Sequence, residues 1–541
     1  SKSKSLNDLN SRYISNYFSG IVAYENKNNF EALKFFKSSK YLINKHDPYL
    51  ERYIYSLVLE GKVQEASNEI KQNLGKSNSR FFEFYLILAL DSLKNKNLEK
   101  SIDYLEQSIN LIDNNRFEVI VYEELKKYLT VFKEQKISKT NNNFGNLSFI
   151  NEVFQKCYLS DKNTDTYFLS LTNKREDNEF SRYIYFNINY LIENDRLKEA
   201  KEIVDEVDYL NSTLLISQGK KWIEEKKLDK FSETFSCKNS NDIVSEFLFL
   251  IANLYSSQDN YKKSNFYLNL SYYLNSKFKF NKTLFFENYY LINDYKKAKK
   301  NLKYFNEKDD LYHWFKLKKQ AQIISKELND EESLKFINKE FKNIKKPTIK
   351  MIFDIANFNK NLKRYQDAID YYDEILSKID SHSALYSEIL YRRGGSYERL
   401  GNYSKSDKDL LNSLEIEPDN AYVLNYLAYS WLEREYKIDL AIEMLELAYS
   451  IRSNDPYIID SIGWAYYLVN NFSKAETYLK RAVELMPEDP VVNDHYGDIL
   501  WKLDRKIQAR YFWMNVLNLK ETEDKMRIDI NIKLLEGLKN S

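Results

Sequence analysis

The last third of the chain repeats itself, and the repeat restricts the fold to stacked pairs of helices. From Pro456 to Asp489 the sequence reads PYIIDSIGWAYYLVNNFSKAETYLKRAVELMPED. Gly463 and Tyr466 fall on a first helix, Ala475 and Ala482 on a second, and Pro487 closes the unit. The two helices must cross closely, so the crossing demands Gly, Ala or Ser, and overpacking it costs about 1–3 kcal/mol. Ala482 lies two helical turns beyond Ala475 and therefore shares its face. One such unit cannot bury its apolar face alone, whereas stacked neighbours can.

The same frame extends both ways. Pro490 opens the next unit, with Gly497 and Ala509 at the small positions. Ala421 opens the previous one (Ala428, Ala441, Ala448, with one extra residue in its turn), and Ser387 the one before (Gly394, Tyr397, Ser406, Ser413, Pro418). Further back, units open near Ile349, Trp314, Lys279 and Ser245, with Ala368, Ser333, Ala298 and Ser264 on their second helices. Units at Tyr13, Asp47 and Phe82 carry Ala32, Ala66 and Ser101. Ser181 opens one with Ala200, and Ser212 opens one that departs from the pattern, with Phe231 where a small residue belongs. The prolines Pro48, Pro347, Pro418, Pro456, Pro487 and Pro490 all fall within a few residues of these boundaries, as helix interruption requires.

Gly463, Tyr466, Ala475, Ala482 and Pro487 together resemble the tetratricopeptide repeat, a helix-turn-helix of about 34 residues. The resemblance implies an all-α solenoid, a right-handed superhelix of antiparallel helix pairs. It also implies a scaffold that binds other proteins and performs no chemistry of its own.

The spacing divides the chain into a polar segment at 1–12, an N-terminal array at 13–116 and an irregular joint at 117–180. A longer array follows at 181–520, then a closing helix at 521–541. Within the joint, Glu118 to Gln135 reads as one long helix, Phe149 to Tyr158 and Asp165 to Leu171 as short ones, and Lys136 to Asn146 as a polar, protease-sensitive loop. In the closing segment Met526, Ile528, Ile530, Ile532 and Leu534 alternate like a strand, while Met526, Ile530, Leu534, Leu535 and Leu538 form a helical stripe. The need to cap a solenoid end decides for helix.

Composition excludes several classes. Eleven Gly and six Pro in 541 residues are too few for a loop-rich or β-rich fold, and a net charge of +1 gives no general pull toward nucleic acid. The lysines from Lys296 to Lys319 read as solvated helix faces. No apolar run reaches the roughly 18 residues of a membrane span. Cys157 and Cys237, far apart, do not read as a disulfide framework or a metal motif, and they neither require nor forbid an oxidising compartment. The chain opens on Ser1, as SKSKS, which fits a mature protein after signal removal or a trimmed start.

No metal-ligand set, phosphate loop or nucleophile elbow is present, so catalytic residues, metal and cofactor are all expected to be none. His495 beside Asp494 reads as packing ahead of Gly497. First helices should line the inner face instead. Their fifth positions in the last three units hold Asn425, Asp460 and Asp494, and their ninth hold Tyr429, Trp464 and Asp498. Glu433, Tyr467 and Trp501 follow near the twelfth and thirteenth. Stacking sets these side by side, as a polar ladder flanked by rings that could hold a peptide backbone or a basic side chain. The alternative is that the rings pack between units.

More narrowly, NYLAYSWLE, DSIGWAYY and NDHYGDILWKLDRKIQARYFW resemble the C-terminal part of a group of exported bacterial repeat proteins, some of them outer-membrane lipoproteins. The residues carrying this are Gly463, Trp464, Asn493, Asp494, His495, Gly497, Asp498 and Trp501. The resemblance implies a periplasmic or outer-membrane-associated adaptor, with peripheral membrane attachment, whose protein partner is a protease or peptidoglycan hydrolase. The competing readings are a cytosolic assembly or regulatory factor of the same architecture, or an accessory subunit of a cell-envelope enzyme complex.

Overall fold

A computed structural model describes residues 11–538, apart from 27, 44, 76–79, 113–115, 138–141, 173–180, 208–209, 211 and 306–307. Every regular element among them is a helix. The polar start, the end of the first array near Asp113 and part of the loop at Lys136 to Asn146 lie outside the described residues.

The helices follow the small-residue frame. The unit at Asp47 is Asp47–Leu59 with Val63–Asn73, that at Phe82 is Phe82–Lys94 with Leu98–Ser108, and that at Pro456 is Pro456–Leu468 with Phe472–Leu485. The close crossing is real. A Cβ on Gly463 would lie 2.8 Å from Leu479, on Gly394 3.0 Å from Leu410, and on Gly497 2.5 Å from Trp513. In the Ser212 unit the sizes are exchanged. Phe231 is fully buried on a short second helix, Asp229–Thr234, and Gly219 makes room for it.

A second signature runs through the array and rests on the backbone. The fifteenth residue of eleven units has positive φ: Gly61, Lys96, Asp195, Lys226, Asp259, Asn293, Lys363, Gly401, Glu435, Asn470 and Asp504. Left-handed backbone reverses the chain between the paired helices. The next residue then caps the second helix where it can: Asn97, Asn260, Asp294, Asn402 and Asn471 each accept a backbone N–H three residues on. The extra residue in the Ala421 unit is also left-handed, Lys437 at φ 46°. In the Trp314 unit the fifteenth residue, Leu328, sits at φ −122° instead.

The chain divides there into two compact units, residues 1–329 and 330–541. This division falls inside the stretch that the sequence frame treats as one array from 181 to 520.

In the first unit, the first helices of the N-terminal repeats pack on two later helices of the same unit, Ser240–Ser256 and Tyr261–Leu274. Tyr55 stacks on Phe266 at 4.6 Å, and Phe117 meets Tyr255 at 4.7 Å. Lys263 pairs with Glu83, and Tyr273 donates to Gln64 and Asp91. Phe82–Lys94 is therefore buried on every side from Phe82 to Leu93, as its all-round apolar sequence requires. The long helix of the joint is Arg116–Glu134, followed by Asn146–Leu159 and Thr164–Thr172.

The two cysteines correct the sequence reading. Cys157, on the helix Asn146–Leu159, forms a disulfide with Cys237, ahead of Ser240–Ser256, across 80 residues. Spacing alone could not reveal this, because the fold and not the local sequence brings the two cysteines together.

In the second unit, five complete repeats run from Ile349 to Asn518 and end on a closing helix, Asp524–Glu536. Ile530 of that helix is fully buried against the last repeat, with Met526, Leu534 and Leu538 beside it, so the helical stripe prevails over the strand pattern.

Candidate functional site

The fifth, ninth and twelfth positions of the last three repeats are brought together, in two distinct environments. Trp464 stacks on His495 with centroids 4.1 Å apart and planes 13° off parallel, and on Tyr467 at 4.6 Å and 8°. His495 Nδ1 lies 2.8 Å from Asp460 Oδ2, and Tyr429 approaches the imidazole at 6.5 Å. Trp464, Tyr467, Tyr429 and Asn425 are half-buried, while Asp460 and His495 are buried. Burial alone would lower the pKa of His495. The adjacent Asp460, with Asp494 and Asp498 beyond it, outweighs burial and raises it.

The other half of the ladder is occupied by the chain itself. Lys533 of the closing helix places its ammonium 2.6 Å from Asp494 and 2.8 Å from both carboxylate oxygens of Asp498. Trp513 Nε1 donates to Asp498 at 3.0 Å. Burial, and then Asp494, push Asp498 up to about 6, against the opposing pull of Lys533. Trp501 packs on Trp513 at 5.3 Å, and Gly537 lies so close to its ring that a Cβ would approach to 2.1 Å. These carboxylates do hold a basic side chain, and it belongs to the closing helix.

The sequence reading assigned His495 to packing, and the structure gives it a stack and a carboxylate. Lys533 had no signal, since nothing in the alternation of the closing segment marks one lysine above its neighbours. A basic pocket further back was legible and missed. The Ser387 unit places Tyr391, Gly395 and Arg399 at its fifth, ninth and thirteenth positions, the same places that select Asp460, Trp464 and Glu433 later on.

Among the described residues no group of three His, Cys, Asp or Glu side chains could hold a metal ion. No described helix is long and apolar enough to cross a membrane.

Residues 387–420 match the family model described as Tetratricopeptide repeat. A TPR repeat-containing protein of Pseudomonas aeruginosa, PA4667, is 34% identical over 110 residues, a match that takes in 20% of this chain and only 18% of that protein's length. Among solved structures, a tetratricopeptide repeat protein from Parabacteroides merdae aligns over 47% of this chain and 98% of its own, at 16% identity and a TM-score of 0.39. The thermophilic TPR protein TTC0263 of Thermus thermophilus aligns over 35% of this chain and all of its own, at 18% identity and a TM-score of 0.31.

Proposed function

We propose that this chain, which matches the tetratricopeptide repeat at residues 387–420, is a non-catalytic adaptor whose second unit holds a partner protein on the first-helix face around Trp464. Proteins of this family generally bind other proteins and generally act as scaffolds without chemistry. The observation that carries the reading is the stack of Tyr467 and Trp464, both half-buried, on the buried ring of His495. It gathers aromatic rings from two successive first helices on one face of the array. The described ion pairs of the closing helix reach Asp494 and Asp498 instead. Aromatic anchors of this kind dominate interfaces, each worth about 2 kcal/mol or more.

We place the adaptor outside the cytoplasm of a bacterium. The Cys157–Cys237 disulfide supports this, since such bonds persist in oxidising compartments and are rare in the cytosol. The resemblance of the C-terminal repeats to exported adaptors points the same way, with a protease or peptidoglycan hydrolase as the partner class.

The test is affinity isolation from the native organism with the wild-type chain and with Trp464→Ala. The variant should fold and hold the partner about thirtyfold more weakly, at 1.4 kcal/mol per tenfold. Full retention by a folded variant would move the surface elsewhere.

A further inference from the structure

Three repeats upstream of the closing helix, the second unit carries a pocket of opposite character. A cavity of about 570 Å³ opens between the first helices Ile349–Asn361, Ala384–Arg399 and Ala421–Glu433. Lys360, Lys363, Arg392, Arg399 and one carboxylate, Glu523, line it, with Tyr391 and Tyr426 edge-to-face at 5.7 Å. Gly395 contributes no side chain, and Tyr426 fills the space against it, its hydroxyl 3.3 Å from where a Cβ would stand.

The charges do not balance. Arg392 pairs with Glu388 at 2.7 Å, Arg399 lies 3.6 Å from Glu398, and Lys363 lies 3.6 Å from Glu523. Lys360 has no carboxylate within ion-pair distance among the described residues. It is half-buried, and burial, then Arg392 and Arg399, push its pKa below the ordinary lysine value, with Glu388 opposing. A partly desolvated ammonium among two guanidinium groups lacks one counter-charge. One missing charge suits a carboxylate better than a dianionic phosphate, and the tyrosine walls suit the aliphatic stem and backbone of a peptide.

We propose that this pocket receives the side-chain carboxylate of a glutamate or aspartate in a partner segment, with Lys360 as its counter-ion and Arg399 at the rim. The site is separate from the Trp464 stack and fails separately from it, since one substitution reads each.

Two labelled peptides test this on the full chain, acetyl-Gly-Tyr-Glu-Phe-Gly-amide and the same peptide with Gln for Glu. Blocked ends leave the side chain as the only difference in charge. The Glu peptide should bind at least about tenfold more tightly, as a charge-assisted hydrogen bond implies. Lys360→Met should erase that preference while the circular dichroism and melting curve stay those of the wild type. Arg399→Gln, at an exposed rim position, should reduce it and serves if Lys360→Met does not fold. Equal binding of the two peptides, no binding of either, or a preference unchanged in both variants would overturn the proposal. Binding that requires a free C-terminal carboxylate or is displaced by millimolar phosphate would also overturn it.

Discussion

The two units are written in one repeat frame and use it in opposite ways. In the first unit, the first helices of the N-terminal repeats bury their faces against the unit's own helices Ser240–Ser256 and Tyr261–Leu274. In the second, the corresponding faces carry half-buried rings and charges; the closing helix pairs with Asp494 and Asp498 of the last repeat, and Glu523 at its start reaches Lys363. The difference lies in the residues at fixed repeat positions. Fifth and ninth in the Phe82 unit are Leu86 and Leu90, both fully buried. In the Ser387 unit they are Tyr391 and Gly395, and in the Pro456 unit Asp460 and Trp464. The frame sets the pairing of helices, and the side chains at these positions decide whether a face becomes core or remains a surface.

The sharpest way to break this contrast is to place a charge at the fifth position of each unit. Leu86→Asp should cost at least about 4 kcal/mol, because it removes a fully buried side chain and leaves an unpaired charge. Tyr391→Asp, at a half-buried face beside arginines, should cost about 1–2 kcal/mol. Denaturant melts of the two variants compare them directly, and equal losses would erase the distinction.

The disulfide belongs to the first unit alone. Cys157→Ser should lower the stability of that unit by about 2–4 kcal/mol, through the long loop it closes, and leave the unfolding of the second unit in place. Calorimetry with and without reductant resolves this, and a shift of both transitions would contradict it.

Within the second unit, Ala475 is fully buried at a helix crossing. Ala475→Leu should cost about 1–3 kcal/mol by overpacking, and an unchanged melting curve would mean that the crossing tolerates bulk.

A smaller effect is expected with pH. The native pKa of His495 is raised, so its contribution to stability is full below the unfolded value and is lost as pH rises through the native one. Asp498, raised to about 6, acts with the same sign, from its unfolded value of 3.8 up to about 6. The second unit should therefore melt lower at pH 8 than at pH 6. His495→Gln should flatten that slope, and a slope of the opposite sign would mean that another group governs it.

Nearly all of the helix pairing was legible in the sequence, because Gly, Ala and Ser at crossings leave a periodic trace. The positive-φ turns left one too, in Gly61, Asn293, Gly401, Asn470 and Asp504, although Lys96, Lys226 and Lys363 in the same conformation blur it. Long-range pairings were not legible. Cys157 meets Cys237, Lys263 meets Glu83 and Lys533 meets Asp498 only because helices distant in sequence pack together. The residues proposed for the site were legible as a set of repeat positions. Which of them the chain would cover with its own closing helix was not, since Lys533 becomes a ligand of Asp494 and Asp498 through packing at the end of the array.

Site-specific photocrosslinking in extracts of the native organism tests the contrast most directly, with a photoreactive residue in place of Tyr55 in one variant and of Tyr429 in another. The account predicts only intramolecular products from position 55, joining it to the helix Tyr261–Leu274, where Phe266 stacks on the native ring. It predicts adducts with a partner protein from position 429. Partner adducts from position 55 with none from position 429 would contradict it.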